Sequence, residues 1–101
     1  MTKVDLMQFT DEVDGRVVAS LWIYFVSLPS RFLAVIEEVQ THESYRREGR
    51  ATRLLEKAIA EAKTRGVDCI ELTVREDAPE IQNFYQSLGF TPSHEGMKLS
   101  L

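Results

Sequence analysis

The sequence predicts an α/β fold of the α+β type, with two helices on a mixed, mainly antiparallel sheet of about six strands in the order β-β-β-α-β-α-β(-β). Two observations lead to this prediction. Up to Thr41, segments rich in β-branched and aromatic residues alternate with turn signals, which is typical of strands. After Gly49, apolar residues recur every three or four positions, which is the spacing of a helix face. A chain of 101 residues is expected to form a single domain, residues 1–101.

The first half of the chain is expected to be an antiparallel meander of three strands. These strands are residues 4–9, 16–27 and 32–41, and residues that favour turns lie between them. Asp14-Gly15 is a strong signal for a two-residue hairpin turn between the first two strands.

The first helix and the strand after it are expected to form a parallel crossover. The apolar face of the helix consists of Ala51, Leu54, Leu55, Ala58, Ile59 and Ala62. Gly66 ends the helix, and residues 69–75 then form a buried strand, in which Cys69 is expected to be a small buried thiol. Because strand, helix and strand follow one another, residues 69–75 should lie parallel to residues 32–41.

The last part of the chain is expected to contain the second helix and a final strand. Asp77 is the predicted N-cap, Pro79 fits the first helical turn, and Gly89 ends the helix. Gly96 allows a short hairpin after this helix, which would make residues 97–101 the last strand.

Composition argues against several classes of partner. The formal net charge of −4 and the pI near 5.1 are unfavourable for a nucleic-acid binder. The longest apolar run, VVASLWIYFVSL, is too short to cross a bilayer, and no secretory signal is visible, so a cytoplasmic location without membrane contact is expected. One cysteine and two separated histidines, His42 and His94, give no metal-binding pattern, so no metal site is expected.

The charged turn RREGRA at the start of the first helix is the strongest candidate for a binding site. A helix N-terminus has free N–H groups and partial positive charge, so it binds an anion if the backbone is accessible. Gly49 and Ala51 remove bulk, while Arg46, Arg47 and Arg50 supply cations. The turn has neither the Lys-Ser/Thr of a phosphate loop nor the three glycines of a dinucleotide site. A charged helix cap without a ligand is the alternative interpretation of these residues.

Two sequence patterns occur together in this chain. The first, Arg/Gln-x-x-Gly-x-Gly/Ala between a strand and an amphipathic helix, is matched by Arg46, Gly49 and Ala51. The second, Phe/Leu-Tyr-x-x-x-Gly-Phe at the end of a helix, is matched by Phe84, Tyr85, Gly89 and Phe90. In this combination the sequence resembles the GNAT superfamily of acetyl-CoA-dependent N-acetyltransferases, and the resemblance covers residues 32–101 well. Most members also have an initial strand and two helices, for which this chain has no room.

The resemblance implies that the chain binds acetyl-CoA. The pyrophosphate would bind to backbone N–H groups of the charged turn, and the pantetheine arm would pair with the main chain at Val39 and Thr41. The cofactor-binding residues implied in this way are Val39, Gln40, Thr41, Arg46, Arg47, Glu48, Gly49, Arg50, Ala51, Thr52 and Tyr85.

The resemblance further implies transfer of the acetyl group to a primary amine of a polyamine, a protein lysine or N-terminus, or another small molecule. Tyr85 would be the catalytic acid. Glu37, expected to share a face with Val39 and Thr41, would be the base or amine anchor in preference to Glu38. The alternative function is a non-catalytic acyl-CoA-binding sensor or interaction module. An open acceptor cleft would suit a bulky target, whereas a second subunit could close it; the apolar stretch LWIYFV, if exposed, favours a homodimer.

Overall fold

The fold consists of a mixed four-stranded sheet and two α-helices, as seen in a computed structural model that describes residues 3–75 and 77–101. The elements in chain order are β1 (Lys3–Val13), β2 (Arg16–Ser27), β3 (Phe32–Thr41), a 3₁₀ turn (Glu43–Tyr45), α1 (Arg50–Arg65), β4 (Cys69–Glu71) and α2 (Pro79–Ser87). The strands follow one another in the sheet; β1, β2 and β3 are antiparallel, and β4 is parallel to β3. The predicted α+β class, antiparallel meander and parallel crossover are therefore confirmed.

The number of strands is smaller than predicted. Among the described residues there are four strands, because β4 ends at Glu71 and residues 97–101 form no strand. β4 pairs with β3 only opposite Leu33 to Val35. A strand needs a partner for its backbone N–H and C=O groups, and a three-residue edge offers little to pair with. Residues 72–75 and residues 97–101 therefore pair with no neighbouring strand among the described residues.

The predicted helix and hairpin boundaries are partly confirmed. β1 is longer than the predicted residues 4–9, and only Asp14 and Gly15 form its turn, with φ of 51° and 78° as in a type I′ turn. Gly66 ends α1 with its N–H directed at the carbonyls of the last helical turn. The N-cap of α2 is Ala78 rather than Asp77, because the Asp77 carboxylate is held by the Arg75 guanidinium at 2.9 Å.

The sheet has two unlike faces. Cross-strand partners share a face, so the strand register assigns each residue to one side. The helix face packs against α1, and the core there consists of Ala19, Leu21, Ile23, Phe25, Ala34, Ile36, Leu54, Leu55, Ala58 and Ala62. The opposite side, called the second face from here on, carries Val4, Leu6, Trp22, Tyr24, Val26, Leu33, Val35 and Cys69. None of these second-face residues belongs to the core cluster or packs against it among the described residues.

Cys69 is exposed on the second face, so the prediction of a buried thiol is wrong. Alternation along β4 directs Ile70, not Cys69, toward the core. The stretch LWIYFV divides in the same way. Leu21, Ile23 and Phe25 are buried, and the alternate residues Trp22, Tyr24 and Val26 lie on the second face.

In the part of the chain that the structure describes, neither α1 nor α2 is long and apolar enough to cross a membrane.

Candidate functional site

A cleft of about 930 Å³ opens where β3 continues beyond its partner β4. From Ile36 to Thr41, β3 has strand contacts only with β2, so its other edge presents free backbone groups. The cleft is lined by residues 17–20 of β2, residues 39–41 of β3, the charged turn, the start of α1 and the Ile81, Phe84 and Tyr85 side of α2. Its size is at the upper end of the range for small-molecule sites.

A β-bulge in β3 shapes this end of the sheet. Ser20 is opposite Gln40, but Trp22 is opposite Glu37, so β3 contains one residue more than β2 between these pairs. Glu38 within the bulge has a φ of 52°, in the left-handed region that non-glycine residues rarely adopt. A bulge bends its strand and increases the local twist. The bulge directly precedes residues 39–41 of β3, which line the cleft.

The bulge also separates Glu37 from the cleft-lining residues. Thr41 is opposite Ala19 on the helix face, whereas Glu37 is opposite Trp22 on the second face. The prediction that Glu37 shares a face with Val39 and Thr41 is therefore wrong, since an extra residue breaks the alternation on which it rested. Glu37 is exposed and is not among the residues that line the cleft.

The charged turn has the backbone of an anion-binding site. Arg47 and Gly49 have φ of 64° and 74°, and Gly49 is the N-cap of α1 without a side-chain cap. The first hydrogen bond of the helix joins the N–H of Arg53 to the Gly49 carbonyl at 3.0 Å. The N–H groups of the preceding residues 50–52 thus have no helical partner, and alternating backbone conformations make a concave nest of such groups.

The Arg50 side chain is engaged by two carboxylates. Its Nη1 donates to Asp11 Oδ2 at 2.7 Å, and its Nε donates to Glu48 Oε1 at 2.9 Å. The guanidinium also lies over the Tyr45 ring, 5.2 Å from the centroid. The hydrogen bond from Arg50 holds the pKa of Asp11 below its usual value. Sequence reasoning missed Asp11, which is far away in the chain and belongs to no motif.

The remaining arginines in the charged turn and the first turns of α1 differ in their hydrogen bonds. Arg46 donates from Nε to the Thr41 carbonyl at 3.2 Å, and Arg53 donates from Nη1 to the Glu48 carbonyl at 3.1 Å. Both bonds brace the turn against the chain around it. Within the described part of the chain, Arg47 has no hydrogen-bond or ion-pair partner, and it lines the cleft. Arg47 is thus a cation that is free to meet a ligand.

Tyr85 lies on the α2 side of the cleft and is partly buried. Its ring makes edge contacts with Phe84 and Phe90, with centroids 5.2 and 5.9 Å apart. Burial raises the pKa of Tyr85 above its ordinary value. The phenol therefore keeps its proton at neutral pH and is suited to donate it.

The cleft brings together most of the predicted site. Lining it are Val39, Gln40, Thr41, Arg46, Arg47, Gly49, Arg50, Ala51, Thr52 and Tyr85. Glu37 and Glu48 are outside this lining. The β2 residues 17–20 were missed, although the chain after β3 must cross the end of β2, where the His42 N–H donates to the Val18 carbonyl at 2.7 Å. Among the described residues, no three His, Cys, Asp or Glu side chains form a group that could hold a metal.

Comparison with known proteins identifies a family. The family model described as "Acetyltransferase (GNAT) family" matches residues 3–90. No curated protein matches the sequence.

Solved structures share the fold. A transcriptional regulator from Bacillus halodurans C-125 superposes with a TM-score of 0.89 at 32% identity, covering 95% of this chain and 66% of its own. A Trypanosoma brucei acetyltransferase gives 0.83 at 25% identity, covering 97% and 69%. An aminoglycoside acetyltransferase from an uncultured soil metagenomic sample gives 0.83 at 20% identity, covering 95% and 66%, a likeness of fold alone. The chain thus spans about two thirds of the length of these proteins.

Proposed function

Because the chain belongs to the acetyltransferase (GNAT) family, we propose that it transfers an acetyl group from acetyl-CoA to a primary amine. The observation that carries the proposal is the cleft itself, with an uncapped helix N-terminus at one end, a free β3 edge along it and the protonated Tyr85 on its α2 side. The proposed acceptors are polyamines, protein lysines or N-termini, and other small amines.

The residues of the cleft fit acetyl-CoA. A pyrophosphate suits the nest of N–H groups at residues 50–52 and the free Arg47 cation. Gly49 suits this turn, since its φ of 74° favours glycine and a Cβ there would lie 3.3 Å from Arg53 Nη1. The amides of a pantetheine arm match the edge of β3 at Val39 and Thr41, where the Thr41 carbonyl also accepts from Arg46 Nε at 3.2 Å. Bound acetyl-CoA supplies the acetyl group as an activated thioester.

The chain's own residues supply the proton transfers. A lysine-like amine has a pKa near 10.4, so the neutral form costs roughly 4 to 5 kcal/mol at pH 7. We propose that Glu37 anchors the ammonium on the second face and accepts its proton. The amine nitrogen would then bond to the acetyl carbon while the carbon–sulfur bond breaks and Tyr85 donates its proton to the sulfur. The second proton, which the nitrogen releases as it becomes an amide, would pass through solvent and restore the Tyr85 phenol. The Val39 N–H donates to the oxygen that gains negative charge during the transfer.

Calorimetry followed by turnover tests the proposal. Acetyl-CoA is titrated into the protein, and release of free thiol is then measured with spermidine, a lysine peptide and an aminoglycoside, the last because of the name of one similar structure. We expect binding in the micromolar range and thiol release with at least one amine. No binding at millimolar acetyl-CoA would refute the proposal.

A second candidate is a non-catalytic acyl-CoA-binding module. The position of Glu37 favours it, because this exposed carboxylate lies on the second face and is not among the residues that line the cleft. The same experiment separates the two functions. Binding of acetyl-CoA without turnover of any amine, together with unchanged behaviour of Tyr85→Phe, would support the binding module instead.

A further inference from the structure

The cluster around Arg50 links the charged turn to the far edge of the sheet. Asp11 belongs to β1, and Glu48 and Tyr45 belong to the segment before α1. The Arg50 side chain, 19% exposed, lies between them and contacts all three. Two carboxylates around one guanidinium leave the cluster with a net negative charge. The Arg50 side chain is therefore already neutralised and is poorly suited to bind phosphate itself.

Asp11 reaches Arg50 because it is the last residue of the regular β1–β2 register, which places it on the helix face. Asp11 is opposite Ala19, but the next residue, Glu12, is opposite Val17, so the β1–β2 register shifts at this point. Ala19 belongs to the core on the helix face, and Asp11 shares that face. The carboxylate thus projects toward the first turn of α1, where it meets Arg50 at 2.7 Å.

We infer that Asp11 is a positioning residue for the anion-binding turn. It acts through Arg50, whose backbone N–H is one of the free donors and whose side chain is fixed from two directions by Asp11 and Glu48. Fixing this side chain holds the first turn of α1 and the left-handed Gly49 in the shape that receives a pyrophosphate. The inference rests on the proposed function for the identity of the ligand.

The chain contains a matched pair with which to test this role. Asp5 lies on the same strand and the same face as Asp11, and it contacts Arg65 at 3.2 Å, at the other end of α1. Both pairs join β1 to α1 through an aspartate and an arginine. Only the Asp11 pair is next to the charged turn. A purely structural role of such ion pairs would make the two aspartates equivalent.

The experiment compares Asp11→Asn with Asp5→Asn by three measurements. Melting temperature measures general stability, and calorimetry with acetyl-CoA measures affinity. Amide hydrogen exchange of the Arg53 N–H, which donates to the Gly49 carbonyl, measures the order of the turn without ligand. We expect Asp11→Asn to weaken affinity by about tenfold and to speed exchange in the turn by a similar factor. Asp5→Asn should leave both values unchanged, and in turnover Asp11→Asn should raise KM for acetyl-CoA more than it lowers kcat.

Each outcome decides the inference. Equal affinity of Asp11→Asn and the unmodified protein, or equal losses in both variants, would overturn it. If the unmodified protein fails to bind acetyl-CoA, the proposed function fails, and the exchange measurement still shows whether Asp11 holds the turn. Should Asp11→Asn not fold, Arg50→Lys replaces it, since an ammonium keeps the charge but cannot bridge both carboxylates as the guanidinium fork does. That variant should show the same loss of order in the turn.

Discussion

At the scale of single residues, Gly49 combines a left-handed backbone conformation with a position in the lining of the cleft. Its φ of 74° favours glycine, and an alanine Cβ would lie 3.3 Å from Arg53 Nη1. Because left-handed backbone costs an L-residue about 1 to 2 kcal/mol, Gly49→Ala should distort the turn and weaken acetyl-CoA binding about tenfold. Gly66→Ala is the control, with φ of 77° and free space around it. It should lower stability similarly and leave affinity unchanged; equal affinities for both variants would contradict the site.

Tyr85 is expected to act in catalysis and not in binding. Tyr85→Phe removes the proton donor, so kcat should fall about 100-fold while calorimetric affinity for acetyl-CoA stays the same. Because burial raises the pKa of Tyr85, its proton is retained to a higher pH than that of an exposed tyrosine, and any decline in rate from its ionisation should begin at a correspondingly higher pH. Tyr45→Phe, which keeps the ring beneath Arg50, is the control and should retain activity. An unchanged kcat in Tyr85→Phe, or an equal loss in Tyr45→Phe, would count against this role.

Glu37 and Glu38 are adjacent but should differ in effect. Glu37 is opposite Trp22 on the second face, whereas Glu38 occupies the bulge. Glu37→Gln keeps the size of the side chain and removes its charge, so kcat should fall about 100-fold, and Glu38→Gln should change it little. Thiol release with the best acceptor measures both. A larger effect from Glu38 would reverse the assignment.

The sequence reveals residues whose role follows from local pattern. Gly49 and Tyr85 stand within motifs of a few residues, and both lie at the cleft as predicted. Asp11 could not be found in this way, because its partner depends on the pairing register of β1 with β2. The sheet face on which Glu37 lies was predicted wrongly for a related reason, since no local sequence signal marks the bulge beside it.

At the scale of elements, the β3 bulge is a feature with a measurable energy. Glu38 has a φ of 52°, so Glu38→Gly should relieve strain and raise the free energy of unfolding by about 0.5 to 1 kcal/mol. Glu37→Gly, at the neighbouring position within the same strand, should lower it by about 1 kcal/mol. Chemical denaturation measures both. If Glu38→Gly is the less stable variant, the left-handed bulge is not the native conformation.

Helix and strand periodicity predicts where elements exist better than where they end. The apolar face of α1 was readable because it depends on spacing alone, and Leu54, Leu55, Ala58 and Ala62 are indeed buried. The length of β4 was not readable, because a strand continues only as far as its partner does. β3 and β4 pair only as far as Val35 and Glu71.

At the scale of the whole molecule, the second face leaves the thiol of Cys69 accessible. Val4 and Leu6 on the same face are 59% and 62% exposed. We expect a disulfide reagent such as Ellman's reagent to modify Cys69 in the dilute native protein at nearly the rate of a free thiol. Protection that grows with protein concentration would mean that a second copy covers this face, and the prediction of a homodimer would then be supported. Modification only after denaturation would contradict the exposed position.

The overall fold class was predictable because it follows from the order of local patterns. The distribution of residues over the two faces was less so, since it requires the long-range register among β1, β2 and β3. The candidate site was predicted for the parts contributed by β3, the turn and Tyr85. It was missed for the lining contributed by β2 and for the contact of Asp11 from β1 with Arg50.

The bulge in β3 also changes the counting of residues along the strand. In a regular strand, odd-numbered residues share one side, yet Glu37 and Thr41 lie on opposite sides because one extra residue stands between them. The alternation of residues between the two faces is therefore reversed on passing Glu38. Deleting one residue of the bulge would restore the regular alternation and place Glu37 on the same face as Thr41. If β3 were transplanted into another sheet, Glu37 and Thr41 would lie on opposite faces only if the extra residue of the bulge were transplanted as well.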